Sequence, residues 1–516
     1  MSFASLLSFL FAGCTTGPDY VRPEVAVPAA WSTPRAGGEV NQAVAVTEWW
    51  TTLNDPVLND LVERSVAANH DLRIAEARVR EARAARGFAT AAFWPTLSAN
   101  AVASRTQIAE QNFAAAGGPP VTLGASADPA GISRSVTIRG QNLSVTRSVT
   151  GGVPSTSVSL APGGGGGGID RTNNFFQLGF DAAWELDVFG GNRRALEAAD
   201  ADIEGAVETR RDVLVSLLSE VALNYIELRS AQNRLDILNQ NILAQKNTVE
   251  LTGARFEAGL TSELDTVRAQ ALLAELQSNV PRLQTQVETS IHRLGVLIGH
   301  APGELGPELS PSAALPAAPA EVPVGLPSDL LRRRPDIRAA EREVAAATAR
   351  IGEAMADLFP KFFLTGGISG QGSVLGDVFQ GGNQLWSIGP GISWPILQGG
   401  RIRANIEVQN ARQEQAAINY ERSILLALED VENGLVSFAK EQDRRASLEA
   451  AVAANQAAVR LANERYVNGL ENFLDVLQAQ QQLFQSQDEL VQSQSFVLTN
   501  LIALYKALGG GWETSD

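Results

Sequence analysis

Phe176-Gln177-Leu178-Gly179-Phe180-Asp181-Ala182-Ala183-Trp184-Glu185-Leu186-Asp187-Val188 alternates between apolar residues and small or polar ones without a break. Residues two apart share a face of a β-strand, so Phe176, Leu178, Phe180, Trp184, Leu186 and Val188 line one side and Gln177, Gly179, Asp181, Glu185 and Asp187 the other. Residues 386–396 repeat the pattern, with Trp386, Ile388, Pro390, Ile392, Trp394 and Ile396 against Ser387, Gly389, Gly391 and Ser393. Residues 97–103 and 362–368 are weaker versions. Strands of about twelve residues, tilted by about 40°, cover roughly the hydrocarbon thickness of a bilayer. Tryptophan and phenylalanine near the strand ends suit the aromatic girdles at its two surfaces. A soluble β-sandwich would alternate in the same way, but the glycine-rich, polar second face favours a membrane barrel. Only four such strands are present, and four cannot close around a lumen. Lipid does not tolerate an open sheet edge. The chain is therefore expected to oligomerise, three copies supplying twelve strands, enough for an open pore.

The strands sit in a chain that is written twice. Shifted by 265 residues, Asp71, Arg73, Ala75, Glu76, Val79, Gly87 and Pro95 fall on Asp336, Arg338, Ala340, Glu341, Val344, Gly352 and Pro360. A shift of 210 lays Val249, Leu251, Arg255, Gly259, Leu260, Leu264, Asp265 and Gln270 on Val459, Leu461, Arg465, Gly469, Leu470, Leu474, Asp475 and Gln480. The shifts differ by 55 residues, an insertion in the first copy between Ser104 and Asn173. Its run of glycines at 163–168 and its Ser, Thr and Pro content read as a loop or a disordered segment. Each copy reads as helix, strand pair, very long helix, turn, second helix. No proline lies between Gly191 and Pro281, and Gly434 is the only glycine from Arg401 to Val467. Sixty-odd residues of unbroken helix rise on the order of 100 Å and need partners along their length, as in a coiled-coil array.

Composition excludes several classes. The 516 residues are 45% hydrophobic but only 6% aromatic and 19% charged. A net charge of −16 argues against a nucleic-acid partner, which needs a basic surface. Three histidines, His70, His292 and His300, are too scattered for a catalytic or metal cluster. There is no nucleophile–histidine pairing, phosphate loop or metal-ligand spacing, so the chain does not read as an enzyme. No run of some eighteen apolar residues offers a transmembrane helix. Residues 3–13 form an apolar stretch of signal-peptide length, with Cys14, the chain's one cysteine, next.

Phe11-Ala12-Gly13-Cys14 resembles the bacterial lipobox, in which the cysteine is lipidated; Phe11 stands where leucine is usual, and no Lys or Arg precedes the apolar run. Gly17-Pro18-Asp19-Tyr20-Val21-Arg22-Pro23, Glu48-Trp49-Trp50, Asn54-Asp55-Pro56-Val57-Leu58 and the C-terminal Tyr505–Trp512 stretch carry a wider likeness. The run from Gly325 to Ile337, with Arg332-Arg333-Arg334-Pro335-Asp336 inside it, is the most specific. Together these resemble the outer membrane factor (TolC-like) family, in its NodT-type lipoprotein branch of RND efflux systems, over almost the whole chain. The resemblance implies an α+β membrane protein. Four strands per protomer, twelve per trimer, would form an outer-membrane β-barrel continuous with a long periplasmic α-helical barrel. Expected boundaries are a signal peptide at 1–13, a lipid-anchored extended segment at 14–50, a first repeat at 51–300, a Pro-rich equatorial connection at 301–335 and a second repeat at 336–516.

The implied function is passive conduction of drugs or other small toxic compounds from periplasm to exterior, in a homotrimer that meets a periplasmic adaptor protein and an inner-membrane RND-type pump. Thr15 after Cys14 implies sorting to the outer membrane, and no cofactor is implied beyond the covalent lipid on Cys14. The glycine turns look like the family's periplasmic tips, with Arg255, Gly259, Leu260, Arg465, Tyr466, Gly469 and Leu470 as adaptor contacts. Leu264, Asp265, Leu474 and Asp475 follow at once, and threefold symmetry would turn each into a ring at the periplasmic gate. A solvated aspartate at a helix N-terminus explains Asp265 and Asp475 equally well. Gln478 and Gln481 stand where relatives carry a second acid and a nearby arginine, which removes a salt-bridge latch at those positions. Two rivals remain: a type I protein secretion channel, and a non-porous, lipid-anchored coiled coil. Copper or silver efflux would want methionines, and only Met1 and Met355 are present.

Overall fold

The computed structural model describes residues 15–32, 39–40, 47–107, 124–128, 131–138, 141–150, 153–161, 172–318, 322–323 and 327–512. The expected signal peptide, Cys14 and the glycine run at 163–168 lie outside them. In chain order the main elements are α1 (Pro56–Ala68), α2 (His70–Ala91), β1 (Thr96–Gln107), β2 (Gly124–Asp128), β3 (Gly131–Ile138), β4 (Gln141–Thr150), β5 (Val153–Ala161), β6 (Thr172–Leu186), α3 (Gly191–Glu257), α4 (Glu263–Leu297), α5 (Pro327–Arg333), α6 (Pro335–Ala356), β7 (Lys361–Gly372), β8 (Gln384–Ser393), α7 (Arg401–Val467) and α8 (Phe473–Ala507). The two copies of the repeat match element for element: α3 and α7 are both 67 residues long, α4 and α8 both 35. No helix among the described residues is long and apolar enough to cross a membrane. The chain forms two compact units, to each of which both repeats contribute.

The first unit takes in 84–200 and 346–413 and holds both four-stranded sheets. One of them is antiparallel in the order β8-β7-β6-β1. Its register turns the alternation into a continuous face. Trp386, Ile368, Phe180 and Ala99 are successive cross-strand partners, as are Ile388, Gly366, Ala182 and Leu97. Trp386 and Ile388 are 76% and 71% exposed, so the apolar side is not covered by the rest of the described chain. On the other side Ser387, Gly367, Asp181 and Ser98 form a row. Gly179 on this side is a steric necessity, since a Cβ there would lie 2.6 Å from Ser369 Cβ and 2.8 Å from the Ile368 carbonyl oxygen.

Each strand pair is fastened to the helix before it in the same way. The Trp184 indole N–H donates to the Phe93 carbonyl at 2.8 Å, and Trp394 donates to Leu358 at 3.0 Å. These pairs are related by the two shifts of the repeat. Two strands end earlier than their alternation suggests. β6 stops at Leu186 because the Asp187 carboxylate accepts from the backbone N–H of Asn192 (3.2 Å) and Arg193 (2.9 Å), capping α3 instead of continuing the strand. β8 stops at Ser393 because Pro395 has no N–H to offer a ladder.

The insertion is a correction. Expected as loop or disorder, it carries β2 to β5, an antiparallel sheet in chain order that pairs with no strand of the first. The expectation rests on the glycine run and the Ser, Thr and Pro content, and it overlooks the Val, Ile and Thr that recur through residues 131–161 and suit a pleated surface.

The N-terminal segment belongs to this unit as well. Thr16 N–H donates to the Phe189 carbonyl at 3.1 Å, and its hydroxyl donates to that of Gly352 at 3.2 Å. Arg194 reaches back to the Thr16 carbonyl (3.0 Å) and the Asp19 carboxylate (2.6 Å). Gly17, at φ +88°, lies so close to Gly352 that a Cβ would sit 2.4 Å from its Cα.

In the second unit the helices meet around the sequence motifs. Asn54 takes a left-handed turn, and the Asp55 carboxylate caps α1 by accepting from Val57 N–H (2.9 Å) and Leu58 N–H (3.2 Å), with Pro56 at the first helical position. The Tyr225 hydroxyl donates to the same carboxylate at 2.6 Å; burial, and then this bond, push the phenol up to about 12. Trp49 stacks on Tyr505 with ring centroids 5.4 Å apart. Trp512 donates to the Arg333 carbonyl at 2.8 Å and carries the Arg211 guanidinium 4.6 Å from its ring. Arg334 bonds Asp336 (2.7 Å), Asp430 (3.0 Å) and the Ala507 carbonyl (3.1 Å), tying together α6, α7 and the end of α8.

Gly434 lets α7 and α8 touch, since a Cβ there would lie 3.5 Å from Leu504 Cα and 3.3 Å from its Cδ1. Alanine is expected to be nearly neutral, because its gain of about 1 kcal/mol in helix propensity offsets a tight contact. Gly434→Leu should destabilise by about 1–3 kcal/mol through overpacking. Denaturant melts of the purified protein check this; equal midpoints for both variants would contradict the close approach.

Candidate functional site

The two helix hairpins of the second unit end in turns built alike. After α3, Gly259 adopts φ +70°, its N–H donates to the Phe256 carbonyl at 2.9 Å, and Leu260 N–H donates to Arg255 at 2.8 Å. After α7, Gly469 adopts φ +72°, donating to Tyr466 at 3.0 Å, while Leu470 donates to Arg465 at 2.9 Å. A six-to-one bond around a glycine with positive φ is the Schellman ending of a helix, which satisfies carbonyls that would otherwise be orphaned. Nothing lies within 4 Å of a Cβ at either glycine, so the dihedral, not crowding, demands glycine there. Leu260 and Leu470 stand at the apices, 65% and 67% exposed.

Beneath the apices the copies diverge. Arg255 places its guanidinium 4.7 Å from the Tyr466 ring and donates to the Val467 carbonyl at 3.1 Å. It therefore grips the end of α7 from the end of α3. Its repeat counterpart, Arg465, instead stays on its own hairpin and bonds Glu471 at 2.8 Å. The first copy has Thr261 where the second has Glu471, so Arg255 lacks the acid that holds its counterpart. Tyr466 corrects one expectation: it is only 4% exposed and belongs to the interior. Its ring packs 5.5 Å from Phe473, in a cluster with Ile242, Ala269, Leu272, Leu276, Val476 and Leu477. A buried ring cannot touch a partner directly; its part is to support Arg255.

The expected gate residues stand one step beyond each turn. Asp265 and Asp475 are both third residues of their helices, α4 and α8, where a carboxylate meets the positive end of the helix dipole. Asp265 accepts from the Thr261 hydroxyl; the Asp475 N–H donates to the Asn472 side chain at 3.3 Å. Both aspartates are half-buried, while Leu264 and Leu474 are exposed. The helix-start explanation of the acids is thus satisfied locally, and it leaves the leucines beside them with no partner-covered surface in this protomer. Gln478 and Gln481 are exposed. Sequence reading missed Gln480 and Gln245, polar residues buried just behind the tips. Gln480 donates to the Thr248 hydroxyl at 3.0 Å, fixing hairpin on hairpin, and Gln245 donates to the Ala269 carbonyl at 2.9 Å, holding α3 against α4 within the first hairpin. The match of Gln270 with Gln480 in the repeat was the available signal, but it gives no hint of burial.

The chain matches the family described as outer membrane efflux protein over residues 61–300 and 326–510. It is 31% identical over 476 residues to Nodulation protein T of Rhizobium leguminosarum bv. trifolii, covering 92% of this chain and 90% of that one. It is also 31% identical, over the full length of both, to the toluene efflux pump outer membrane protein TtgI of Pseudomonas putida. Among solved structures the outer-membrane channel OprN superposes with a TM-score of 0.79 at 34% identity, covering 97% of this chain and 100% of that one. The open state of the Neisseria gonorrhoeae MtrE outer membrane channel gives 0.76 at 25%, covering 97% and 99%.

The tips generate a graded expectation. Tyr466→Phe should be nearly neutral, since the phenol oxygen is buried without a hydrogen-bond partner among the described residues. Tyr466→Ala should cost about 3–5 kcal/mol by emptying the cluster. Gly259→Ala and Gly469→Ala should each cost about 1–2 kcal/mol for the left-handed backbone. Thermal melts of the four variants would show this order; a Tyr466→Phe loss as large as that of Tyr466→Ala would contradict it.

Proposed function

The chain belongs to the outer membrane efflux protein family and is an outer-membrane channel component of an efflux pump, reaching into the periplasm; from that premise we propose that it works as one of three identical protomers. The observation that carries this reading is the sheet with two open edges. Among the described residues β1 and β8 each present one side of their backbone to no strand, yet the apolar face between them belongs in hydrocarbon. Lipid offers no hydrogen bonds to those edges, so β8 of one protomer pairs with β1 of the next until the ring closes. Twelve strands enclose a water-filled lumen, lined by the glycine, serine and aspartate face. The two long hairpins of each protomer then form the wall of a periplasmic helical tunnel.

Exposed Leu260 and Leu470, with Gly259, Gly469 and Arg465, make the surface offered to a periplasmic adaptor, behind which an RND-type inner-membrane pump loads the channel. Leu264 and Leu474 close the mouth by apolar packing and dewetting, and Asp265 and Asp475 give it cation preference. A lipid on Cys14 adds an anchor to the barrel's own hold on the membrane. Relatives named for toluene and solvent efflux support small apolar toxic compounds as cargo rather than secreted proteins. Single-channel recording in planar bilayers tests the whole reading, because a non-porous rod gives no conductance.

In such recordings Asp475→Asn should lower cation selectivity and block by multivalent cations added from the periplasmic side, and the double change with Asp265→Asn should lower them further. Leu474→Ala should raise conductance instead. Salt screens the first effect, with a Debye length of about 8 Å at physiological strength, and spares the second. Unchanged selectivity at low salt in both aspartate variants would return them to ordinary helix-start residues. Separately, Cys14→Ser should abolish labelling by a fatty-acid probe while channels still insert; persistent labelling would refute the lipid assignment.

A further inference from the structure

The link between β7 and β8 folds back onto the sheet instead of standing clear of it. Residues Leu375–Phe379 form a short helical turn whose Val378 is buried. The Val378 carbonyl oxygen fills the space that a Cβ on Gly370 would need, and a Cβ on Gly372 would lie 2.6 Å from Asp377 Cβ. By the alternation of β7 these two glycines share the face of Ile368, and they stand opposite Leu178 and Phe176 of β6. The turn therefore sits on the apolar side of the sheet, at the end of β7 remote from α6.

That seat answers a shortfall in the strand. A transmembrane strand takes about 9–11 residues. On β7 the apolar side chains of this face run only from Phe362 to Ile368, since 370 and 372 are glycine. The turn lays apolar groups over the bare end: Leu375 and Phe379 are 61% and 70% exposed, and Val374 beside them is exposed as well. Its polar groups are meanwhile bonded to one another. Gln380 donates to the Asp377 carboxylate and Asn383 to the Asp377 carbonyl, each at 3.0 Å, and the Asp377 N–H donates to the Val374 carbonyl at 3.0 Å. A turn satisfied in this way loses little on leaving water, while its apolar side chains gain by it. A second copy suits the place poorly, because the turn stands over β7 and β6, the inner strands, away from the edges where protomers join.

We propose that the Leu375–Phe379 turn is a lipid-contacting collar, with Leu375 and Phe379 among the acyl chains just beneath the outer headgroups, completing the apolar belt where β7 ends in glycine. The inference rests on the membrane reading of the sheet and not on the gate. The test uses the full-length chain carrying Cys14→Ser and one of Leu375→Cys, Phe379→Cys or Ile388→Cys, labelled with the fluorophore NBD. Each is placed in nanodiscs of phosphatidylcholine with or without brominated acyl chains, Ile388 being the reference on the sheet itself. Bromolipid should take most of the emission from all three positions, and iodide in the water little from any. Quenching by iodide rather than bromolipid at Leu375 or Phe379, or protection there from both quenchers by another part of the assembly, overturns the proposal while Ile388 still reports a sheet in lipid. Failure of bromolipid at Ile388 as well overturns the membrane reading of the sheet, and the collar with it.

Discussion

Everything in this chain follows from a backbone that must leave no polar group unpaired in hydrocarbon. A four-stranded sheet satisfies its two central strands and strands its two outer ones. Each unpaired N–H or C=O in lipid costs several kcal/mol, more than any side chain on β1 or β8 could return. That deficit makes the protomer incomplete as a membrane object and assigns the repair to other copies of itself. Once the sheet is one sector of a ring, the helices that continue from it are sectors too.

The internal repeat lets one local solution serve twice. The indole fastening at Trp184 and Trp394, the glycine endings at Gly259 and Gly469, and the turns at Gly299 and Gly509 are the same chemistry a fixed distance apart. The copies are not identical at the tip, and the differences are few. Thr261 in place of Glu471 frees Arg255 to cross to the other hairpin; Tyr466 in place of Phe256 gives it a ring to settle on. A tip made of two identical halves would have no such cross-brace.

The barrel strands and long helices were legible because their periods, two and 3.6, are written over enough residues to exclude accident, and because a second copy repeats them. Strand ends were not, since Asp187 looks like one more polar residue of the alternation until its bonds to Asn192 and Arg193 are known. The inserted sheet was hidden by the glycine run beside it. Of the tip residues, those fixed by backbone geometry, Gly259 and Gly469, could be read directly. Tyr466 could not, because whether an aromatic near a helix end faces a partner or the core depends on Arg255, more than two hundred residues away. Asn54, Asp55 and Pro56 stand out in the sequence, and the structure spends them on starting a helix.

The clasp around Gly17 has a mechanical meaning. Thr16 and Gly17 are held by Phe189, Arg194 and Gly352 where the sheet gives way to helix. The two glycine backbones touch there, so neither can slide past the other. A pull on the N-terminal segment is therefore borne by the start of α3 and the end of α6 together, as shear across a backbone contact, before it can peel a strand from the sheet.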